Sequence, residues 1–300
     1  MAERPLPRAA ATQAYVDYIV RPLRDPGELR ALLAPHRAYA AYALGQLQPD
    51  LFARSEWWSA RGAQGQALLL HSQGGLGSAL FALGAPEALE ALLRLHPGPR
   101  HTFLTGQPAQ LDVMLRHYHL PPDNAMVRLQ VDRNSFRPVV GQARRLRGSD
   151  VRDVNRLYRA DGTPAFYTSE NIEDAVYYGG YQDGRLVAVA GTHVVTQAEG
   201  IGVVGNVFTH PAYRGRGLGT LVTSAVTRDV LASCREAVLS VDPGNEYALR
   251  AYRRLGFREV GSLIEGPAVR RDMVLGAFLR RRVAALRGRR YGAELVSLPA

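Results

Sequence analysis

Three glycines and two arginines fall within six consecutive positions, Arg214-Gly215-Arg216-Gly217-Leu218-Gly219. Glycine has no Cβ, so a glycine-rich backbone can turn its N–H groups outward towards a ligand. Guanidinium groups beside such a turn add formal positive charge. A turn of this kind suits an anion, and we expect the ligand to carry a diphosphate or triphosphate.

The elements that flank this turn favour the same ligand. An apolar run, Ile201–Thr209, ends at His210-Pro211 and predicts a strand. The apolar residues after the glycines recur at helical spacing: Leu218, Leu221, Val222, Ala225, Val226 and Val230. The first N–H groups of a helix have no intrahelical partner and carry partial positive charge. Strand, bare loop and helix N-terminus together predict a phosphate-binding site.

Two common phosphate motifs do not fit this turn. A Walker loop needs a lysine after its last glycine, and the chain contains no lysine. A dinucleotide fingerprint needs a third glycine three positions after the second, and Thr220 stands there when the count starts at Gly217.

The turn instead resembles the acyl-CoA signature of the GNAT superfamily of N-acyltransferases, (Gln or Arg)-x-x-Gly-x-(Gly or Ala). A second stretch, from Asn245 to Phe257, matches the later motif of that superfamily, Asn-x-x-Ala-x-x-x-Tyr-x-x-x-Gly-Phe. Asn245 is a good helix N-cap, and Gly256 suits the position after the helix end. Two motifs in the right order, about thirty residues apart, make the resemblance specific.

The resemblance implies roles for particular residues. Backbone groups of Val207, Phe208 and Thr209 would pair with the pantetheine arm of acyl-CoA. The N–H groups from Arg214 to Thr220 would hold the pyrophosphate, and Asn245 would bond the amide or phosphate region. The residues of the loop are Arg214, Gly215, Arg216, Gly217, Leu218, Gly219 and Thr220. Tyr252 stands where the superfamily often has a general acid that protonates the leaving thiolate.

The general base is where the sequence departs from the superfamily. Many members carry a glutamate where this chain has Val203, which cannot accept a proton. Water is one alternative, and the side chains that remain possible are Glu170, His193, Glu199, His210 and Glu265. Glu170 and His193, with Tyr167 and Tyr178, are also our candidates for the acceptor site. Core packing or solvent exposure explains each of them equally well.

The fold class implied is α/β (α+β), with two tandem GNAT-like domains and a mixed, mostly antiparallel sheet flanked by helices. The first domain is predicted over residues 15–135 as a degenerate copy, because the turn Ala82–Glu87 lacks the CoA signature and carries an acid. The catalytic domain is predicted over 138–276. Residues 277–300 are predicted to form a basic helix, over 277–288, and a tail.

Finer assignments follow from apolar periodicity. Helices are expected over Pro26–Leu33, Tyr39–Leu47 and Pro86–Leu95, and a strand over His101–Gly106. In the second half, Val139–Leu146 is predicted to be the first strand.

Three further signals lie in the second half. Ser149 is predicted to cap a helix that starts at Asp150. Asp183-Gly184 predicts a tight hairpin turn between two strands. The last strand is expected near Arg271–Leu275.

A narrower resemblance is to the glycine N-acyltransferase-like branch, in which a small amine or amino acid accepts the acyl group. It is based on tandem halves with one CoA loop, on Ala190-Gly191-Thr192-His193, and on Asn206–Pro211. A tandem acyltransferase similar to mycothiol synthase is a variant of the same class.

The composition and charge of the chain indicate which ligands and partners to expect. All 37 basic residues are arginine and the net charge is +10, which the phosphates of CoA partly explain. The single cysteine, Cys234, predicts a buried residue, no thiolate metal cluster and a cytoplasmic protein. No apolar run has the length of a membrane span. We expect acetyl-CoA or another acyl-CoA, a small-molecule amine acceptor, no metal, no membrane, and a monomer or homodimer. The alternatives are an acyl-CoA sensor and a protein- or nucleic-acid-associated acetyltransferase that uses the basic helix.

Overall fold

The computed structural model describes residues 15–74, 77–162, 165–271, 276, 279, 282–283 and 292–299. In these residues, fourteen strands form one mixed sheet, in which only two neighbouring pairs run parallel. The strands are β1 (Tyr15–Pro22), β2 (Glu56–Gly62), β3 (Gly65–Gly74), β4 (Gly77–Gly84), β5 (His101–Gly106), β6 (Tyr118–His119), β7 (Ala125–Asp132), β8 (Arg144–Arg145), β9 (Tyr177–Gln182), β10 (Arg185–Thr196), β11 (Ile201–Thr209), β12 (Glu236–Val241), β13 (Arg258–Arg270) and β14 (Glu294–Pro299).

Helices cover both faces of this sheet. They are α1 (Pro26–Leu33), α2 (Ala41–Gly45), α3 (Pro49–Phe52), α4 (Pro86–Leu95), α5 (Leu111–His117), α6 (Val151–Tyr158), α7 (Ser169–Glu173), α8 (Leu218–Ser233) and α9 (Glu246–Arg254). The cores formed with α4, α5, α8 and α9 lie on one face. The cores formed with α1, α2, α6 and α7 lie on the other face. The predicted mixed, mostly antiparallel sheet flanked by helices is confirmed.

The two halves of the chain exchange their closing strands. The strand order is β14-β1-β2-β3-β4-β5-β13-β7-β12-β11-β10-β9-β8, with β6 beside β13. Thus β7, from the first half, pairs with β12 of the second half, and β13, from the second half, pairs with β5 of the first. One continuous sheet therefore joins the two halves, and its centre is built from both.

Several helices and strands begin and end at the residues that local sequence signals predicted. The predicted bounds Pro26–Leu33, Pro86–Leu95, His101–Gly106 and Ile201–Thr209 are the observed ones. Asp183 and Gly184 both have positive φ, 50° and 72°, as a two-residue hairpin turn requires. Cys234 is buried just before β12, as expected.

Some predicted bounds are wrong. Within Val139–Leu146 only Arg144–Arg145 form a strand, because the Val139 N–H donates to the Ser224 hydroxyl of α8 at 2.9 Å instead of to a strand. The helix predicted from Tyr39 begins at Ala41. Ser149 lies inside a short 3₁₀ turn rather than capping α6, and the Asp150 carboxylate accepts the Arg147 N–H there at 2.9 Å.

The end of the chain also differs from expectation. The last strand of the second half is Arg258–Arg270 rather than a strand near Arg271–Leu275, and residues 272–275 lie outside the described part. Most of the helix predicted over 277–288 lies outside it too, although Leu279 and Val283 are helical and exposed. Where a tail was expected, β14 pairs with β1, because Leu298 packs into the core under α4.

Candidate active site

A gap opens in the sheet between β11 and β12. The two strands pair in parallel only from Ile201↔Glu236 to Val203↔Val238. Beyond that point β11 continues to Thr209 with no partner on this side among the described residues. The backbone of Val207, Phe208 and Thr209 therefore has no partner strand on this side, which is the geometry that the pantetheine prediction requires, and the Thr209 carbonyl accepts the Arg214 Nε at 3.1 Å.

The glycine-rich turn leads into α8 at the end of this gap. Gly215 and Gly217 have φ of 78° and 76°, which is costly for residues with a side chain, and a Cβ at either would meet nothing within 4 Å. Within the described part of the chain, the backbone N–H groups of residues 215–220 donate to no backbone acceptor, and Leu221 is the first to do so, to Gly217 at 3.0 Å. The turn is thus an open cradle of free donors.

The two arginines of the turn do not enter this cradle. The Arg214 Nε donates to the Thr209 carbonyl at 3.1 Å, and the Arg216 guanidinium lies 5.2 Å from the centre of the Tyr213 ring. In this conformation the backbone supplies the donors, and the arginines supply long-range positive charge.

Beside the gap, β11 is interrupted by a bulge at Asn206 that sequence reasoning did not identify. Asn206 has a φ of 52°, a conformation that asparagine tolerates better than most residues. Three tyrosines hold it. The Tyr158 hydroxyl donates to the Asn206 carbonyl at 2.5 Å, the Tyr167 hydroxyl donates to Oδ1 at 3.1 Å, and the Asn206 amide donates to the Tyr177 hydroxyl at 2.7 Å. We call Asn206 and these three residues the tyrosine cluster.

Asn245 lies at the N-terminus of α9 and Tyr252 in its last turn. The Tyr252 ring is buried, 6.1 Å from that of Phe257, and its hydroxyl has no hydrogen-bond partner among the described residues. Burial raises the pKa of Tyr252 to about 12. Asn245 caps the helix as predicted, since its Oδ1 accepts the Ala248 N–H at 3.1 Å, and Gly256 follows the helix with a φ of 92°.

The four candidate acceptor residues do not lie together. Tyr167 belongs to the tyrosine cluster, and Glu170 is exposed in the first turn of α7. His193 is on the same face of the sheet as Tyr167, with its ring 5.8 Å from that of Tyr42. Tyr178 points to the opposite face, where it packs near α8 and its hydroxyl is 3.4 Å from Asp229. Tyr178 is therefore not part of the wall around Asn206.

The candidates for a general base have different surroundings. Val203 is fully buried, as an apolar residue at that position requires. Glu199 is ion-paired with Arg30 at 2.8 Å, and His210 accepts the Ala212 N–H at 3.2 Å. Glu265 lies on β13, three strands from β11, or roughly 14 Å at the usual strand spacing. Burial, then the charge of Arg128, lowers the pKa of His193 to about 4.

Comparison with known proteins identifies the class. Residues 149–257 match the sequence model of the acetyltransferase (GNAT) family, and this part of the chain belongs to that family. A mycothiol acetyltransferase of Tsukamurella paurometabola is 28% identical over 271 residues, which cover 85% of this chain and 82% of the relative. The family match lies in the second half of the chain, where the glycine-rich turn and α9 are found.

Solved structures share the fold at low identity. A GCN5-related N-acetyltransferase from Kribbella flavida has a TM-score of 0.55 and 19% identity, over 79% of this chain and 97% of that one. A Drosophila protein has a TM-score of 0.59 and 13% identity, over 84% and 97%. The narrower resemblance to glycine N-acyltransferases stays a prediction.

Two further findings concern the described residues alone. No helix among them is long and apolar enough to cross a membrane. No group of three His, Cys, Asp or Glu side chains within them is placed to hold a metal ion.

Proposed function

We propose that the chain transfers the acetyl group of acetyl-CoA to a primary amine of a small molecule, at the gap between β11 and β12. The observation that carries this proposal is the open cradle at residues 215–220 beside the unpaired edge of β11. A helix N-terminus with free N–H groups suits a pyrophosphate, and a free strand edge suits the amides of pantetheine. The name of the Tsukamurella relative supports acetyl as the transferred group.

Different residues around the gap would bind acetyl-CoA and transfer protons. Bound acetyl-CoA would supply a thioester carbonyl that a neutral amine can attack. The backbone from Gly215 to Thr220 holds the diphosphate, and Val207 to Thr209 align the arm so that its end lies near the bulge at Asn206. Asn245 keeps its amide N–H groups free for the ligand, because the cap uses only its oxygen.

Tyr252 is proposed as the proton donor to the leaving sulfur. The Tyr252 hydroxyl has no hydrogen-bond partner among the residues that the structure describes, so its proton is available to a ligand. A pKa of about 12 keeps the phenol protonated over the whole physiological range. The proton of the amine is proposed to leave through water, since Glu199 is ion-paired with Arg30 and Val203 cannot accept a proton.

The first half is proposed to hold no CoA. Its parallel pair, β4 and β5, separates after Phe81↔Thr105, but two glutamines occupy the opening. The Gly84 N–H donates to the Gln107 Oε1 at 2.8 Å, and the fully buried Gln110 donates to the Gly84 carbonyl at 2.9 Å. Calorimetry should therefore give one acetyl-CoA site per chain. The cytoplasmic location also stays a prediction.

The test of this function compares two glycine substitutions. Gly217→Ala strains the cradle and places a methyl group in it, whereas Gly184→Ala, in the β9–β10 hairpin, imposes the same strain at a φ of 72° in open space. Both should lose about 1 kcal/mol of stability. Calorimetry should show that only Gly217→Ala loses acetyl-CoA affinity, and release of the CoA thiol across a panel of amines should follow binding. Absence of acetyl-CoA binding to the folded wild type would contradict the proposal.

A further inference from the structure

Arg128 is a buried arginine that forms no ion pair among the described residues. It lies on β7, is 2% exposed, and its Nε, Nη1 and Nη2 have no hydrogen-bond partner among the described residues. A buried guanidinium without an acceptor is strongly unfavourable, and proteins rarely retain one unless something supplies the acceptor. The side chain therefore points to a ligand, or to ordered water that a ligand displaces.

The position of Arg128 connects it to the gap. Arg128 is the cross-strand neighbour of Ser240 on β12, and the Ser240 hydroxyl is also buried without a partner within the described part. Ser240 is the second residue after Val238, where the pairing with β11 ends. Two strand spacings, about 10 Å, separate the backbones of β7 and β11 where β11 still pairs with β12, and the separation is larger at Ser240, beyond that pairing. This opening beside Arg128 leaves room for a small acceptor.

The surroundings of Arg128 come from both halves of the chain. Its guanidinium carbon lies 5.3 Å from the centre of the Tyr42 ring, and that ring is 5.8 Å from His193. The low pKa of His193, caused by burial and then by Arg128, keeps that neighbour uncharged at neutral pH. Arg128 and the buried Glu265 both act electrostatically on the Tyr42 hydroxyl, and one Glu265 carboxylate oxygen has no hydrogen-bond partner among the described residues.

We propose that Arg128 binds the carboxylate of the acceptor, so that the acceptor is an amino acid or a similarly small amine that carries a carboxylate. This proposal rests on the proposed function, because it places the amine at the end of the β11 gap. The planar guanidinium matches a carboxylate with two parallel hydrogen bonds. A carboxylate carries a single charge, which the nearby Glu265 repels less than it repels a phosphate dianion.

The first measurement compares acceptors that differ only in the carboxylate. Glycine, alanine and β-alanine are each paired with their carboxamides, and kcat/KM is compared per concentration of neutral amine. The wild type should prefer the carboxylates roughly 10- to 100-fold, as expected for a charged hydrogen-bonded pair. Arg128→Met should reduce that ratio to about 1 while acetyl-CoA binding, measured by calorimetry, stays unchanged. Arg152→Met, an exposed arginine of α6, is the matched control and should keep the ratio.

The second measurement does not need turnover. The same carboxylates, added to wild type with acetyl-CoA, should raise its melting temperature, and the carboxamides should not. If Arg128→Met does not fold, Arg128→Lys can be used instead. Lysine keeps the charge but loses the planar pair of donors, so the preference for carboxylates over carboxamides should fall several-fold. A wild type that binds acetyl-CoA but shows neither preference nor a carboxylate-dependent shift overturns the inference and leaves the proposed function intact. A variant at Arg128 that keeps the full preference also overturns it, whereas loss of acetyl-CoA binding by wild type is a failure of the proposed function.

Discussion

At the scale of single residues, Tyr252 combines two properties that a structural tyrosine rarely has. Its ring is buried in the core shared by α8 and α9, yet its hydroxyl forms no hydrogen bond with any described residue. The ring is held by packing while the hydroxyl stays free, so the hydroxyl can donate a proton to a ligand.

Tyr252→Phe should lower kcat about 100-fold, since a general acid contributes on that order, and should leave stability and acetyl-CoA affinity nearly unchanged. Steady-state kinetics and calorimetry on the same samples check this. Tyr247→Phe, on the same helix but 81% exposed, is the control and should behave as wild type. Because burial raises the pKa of Tyr252 to about 12, kcat should show no alkaline limb below about pH 10. A Tyr252→Phe enzyme with full kcat would remove Tyr252 from the mechanism.

The bulge at Asn206 is a feature of the site that could not be predicted from the sequence. Its neighbours predict a regular strand, and the bulge depends on Tyr158, Tyr167 and Tyr177, which come from other parts of the chain. By contrast, the N-cap at Asn245 and the left-handed Gly256 were predictable, because their causes are local. A backbone conformation that depends on side chains from distant parts of the sequence cannot be predicted from the periodicity of apolar residues.

Asn206→Gly separates the two contributions of this residue. Glycine adopts the positive φ without strain, so the variant loses only the side-chain bonds to Tyr167 and Tyr177 and should cost about 1–2 kcal/mol. Asn206→Ala loses the same bonds and adds strain of about 1 kcal/mol. Urea unfolding of both variants measures the difference. Equal stabilities would show that the left-handed conformation is not maintained without the side chain.

At the scale of elements, a carboxylate on α4 ties two helices together. Glu90 of α4 accepts from Arg94 at 2.9 Å, and from Arg116 and His117 of α5 at 3.1 and 3.2 Å. Burial by itself raises the pKa of Glu90, but the bonds to His117, Arg94 and Arg116 outweigh it and lower that pKa from 4.5 to about 2. The contribution to stability is therefore fully present above about pH 4.5 and is lost as the pH falls through 2.

Glu90→Gln should therefore destabilise the protein by about 2–3 kcal/mol at pH 7, and the difference from wild type should shrink steadily below pH 4.5. Urea unfolding at several pH values gives both numbers. Glu246→Gln serves as the comparison, because its pair with Arg250 on α9 is exposed and should contribute less than about 0.5 kcal/mol at any pH. A Glu90→Gln deficit that does not change with pH would contradict this account.

At the scale of the whole molecule, the exchange of β7 and β13 makes the two halves dependent on each other. Each half of the sheet is completed by a strand from the other half, and the pairs Arg30–Glu199 and Arg37–Glu236 join them at 2.8 and 2.7 Å. The sequence predicted a boundary between the two halves at residues 135–138. It gave no sign of the exchange, because each closing strand has the same apolar pattern whichever half it joins.

The exchange also explains where the buried Arg128 lies. Arg128, a residue of the first half, lies two strands from β11 of the second half only because β7 pairs with β12. In this arrangement α2 and Tyr42 of the first half cover the face of the sheet on which we propose that the acceptor binds.

The exchange predicts that the chain unfolds as one unit. Residues 1–137 and 138–300 expressed separately should each lack the central strand of their sheet and should show no cooperative transition by circular dichroism. Expressed together, they should associate and bind acetyl-CoA. As a control, a protease site inserted at Val140, which is 97% exposed, should allow the folded chain to be cut without separation of the pieces in gel filtration. Two resolved transitions in the intact chain, or a stable isolated half, would contradict this prediction. Either result would mean that the exchanged strands contribute little to the stability of the whole chain.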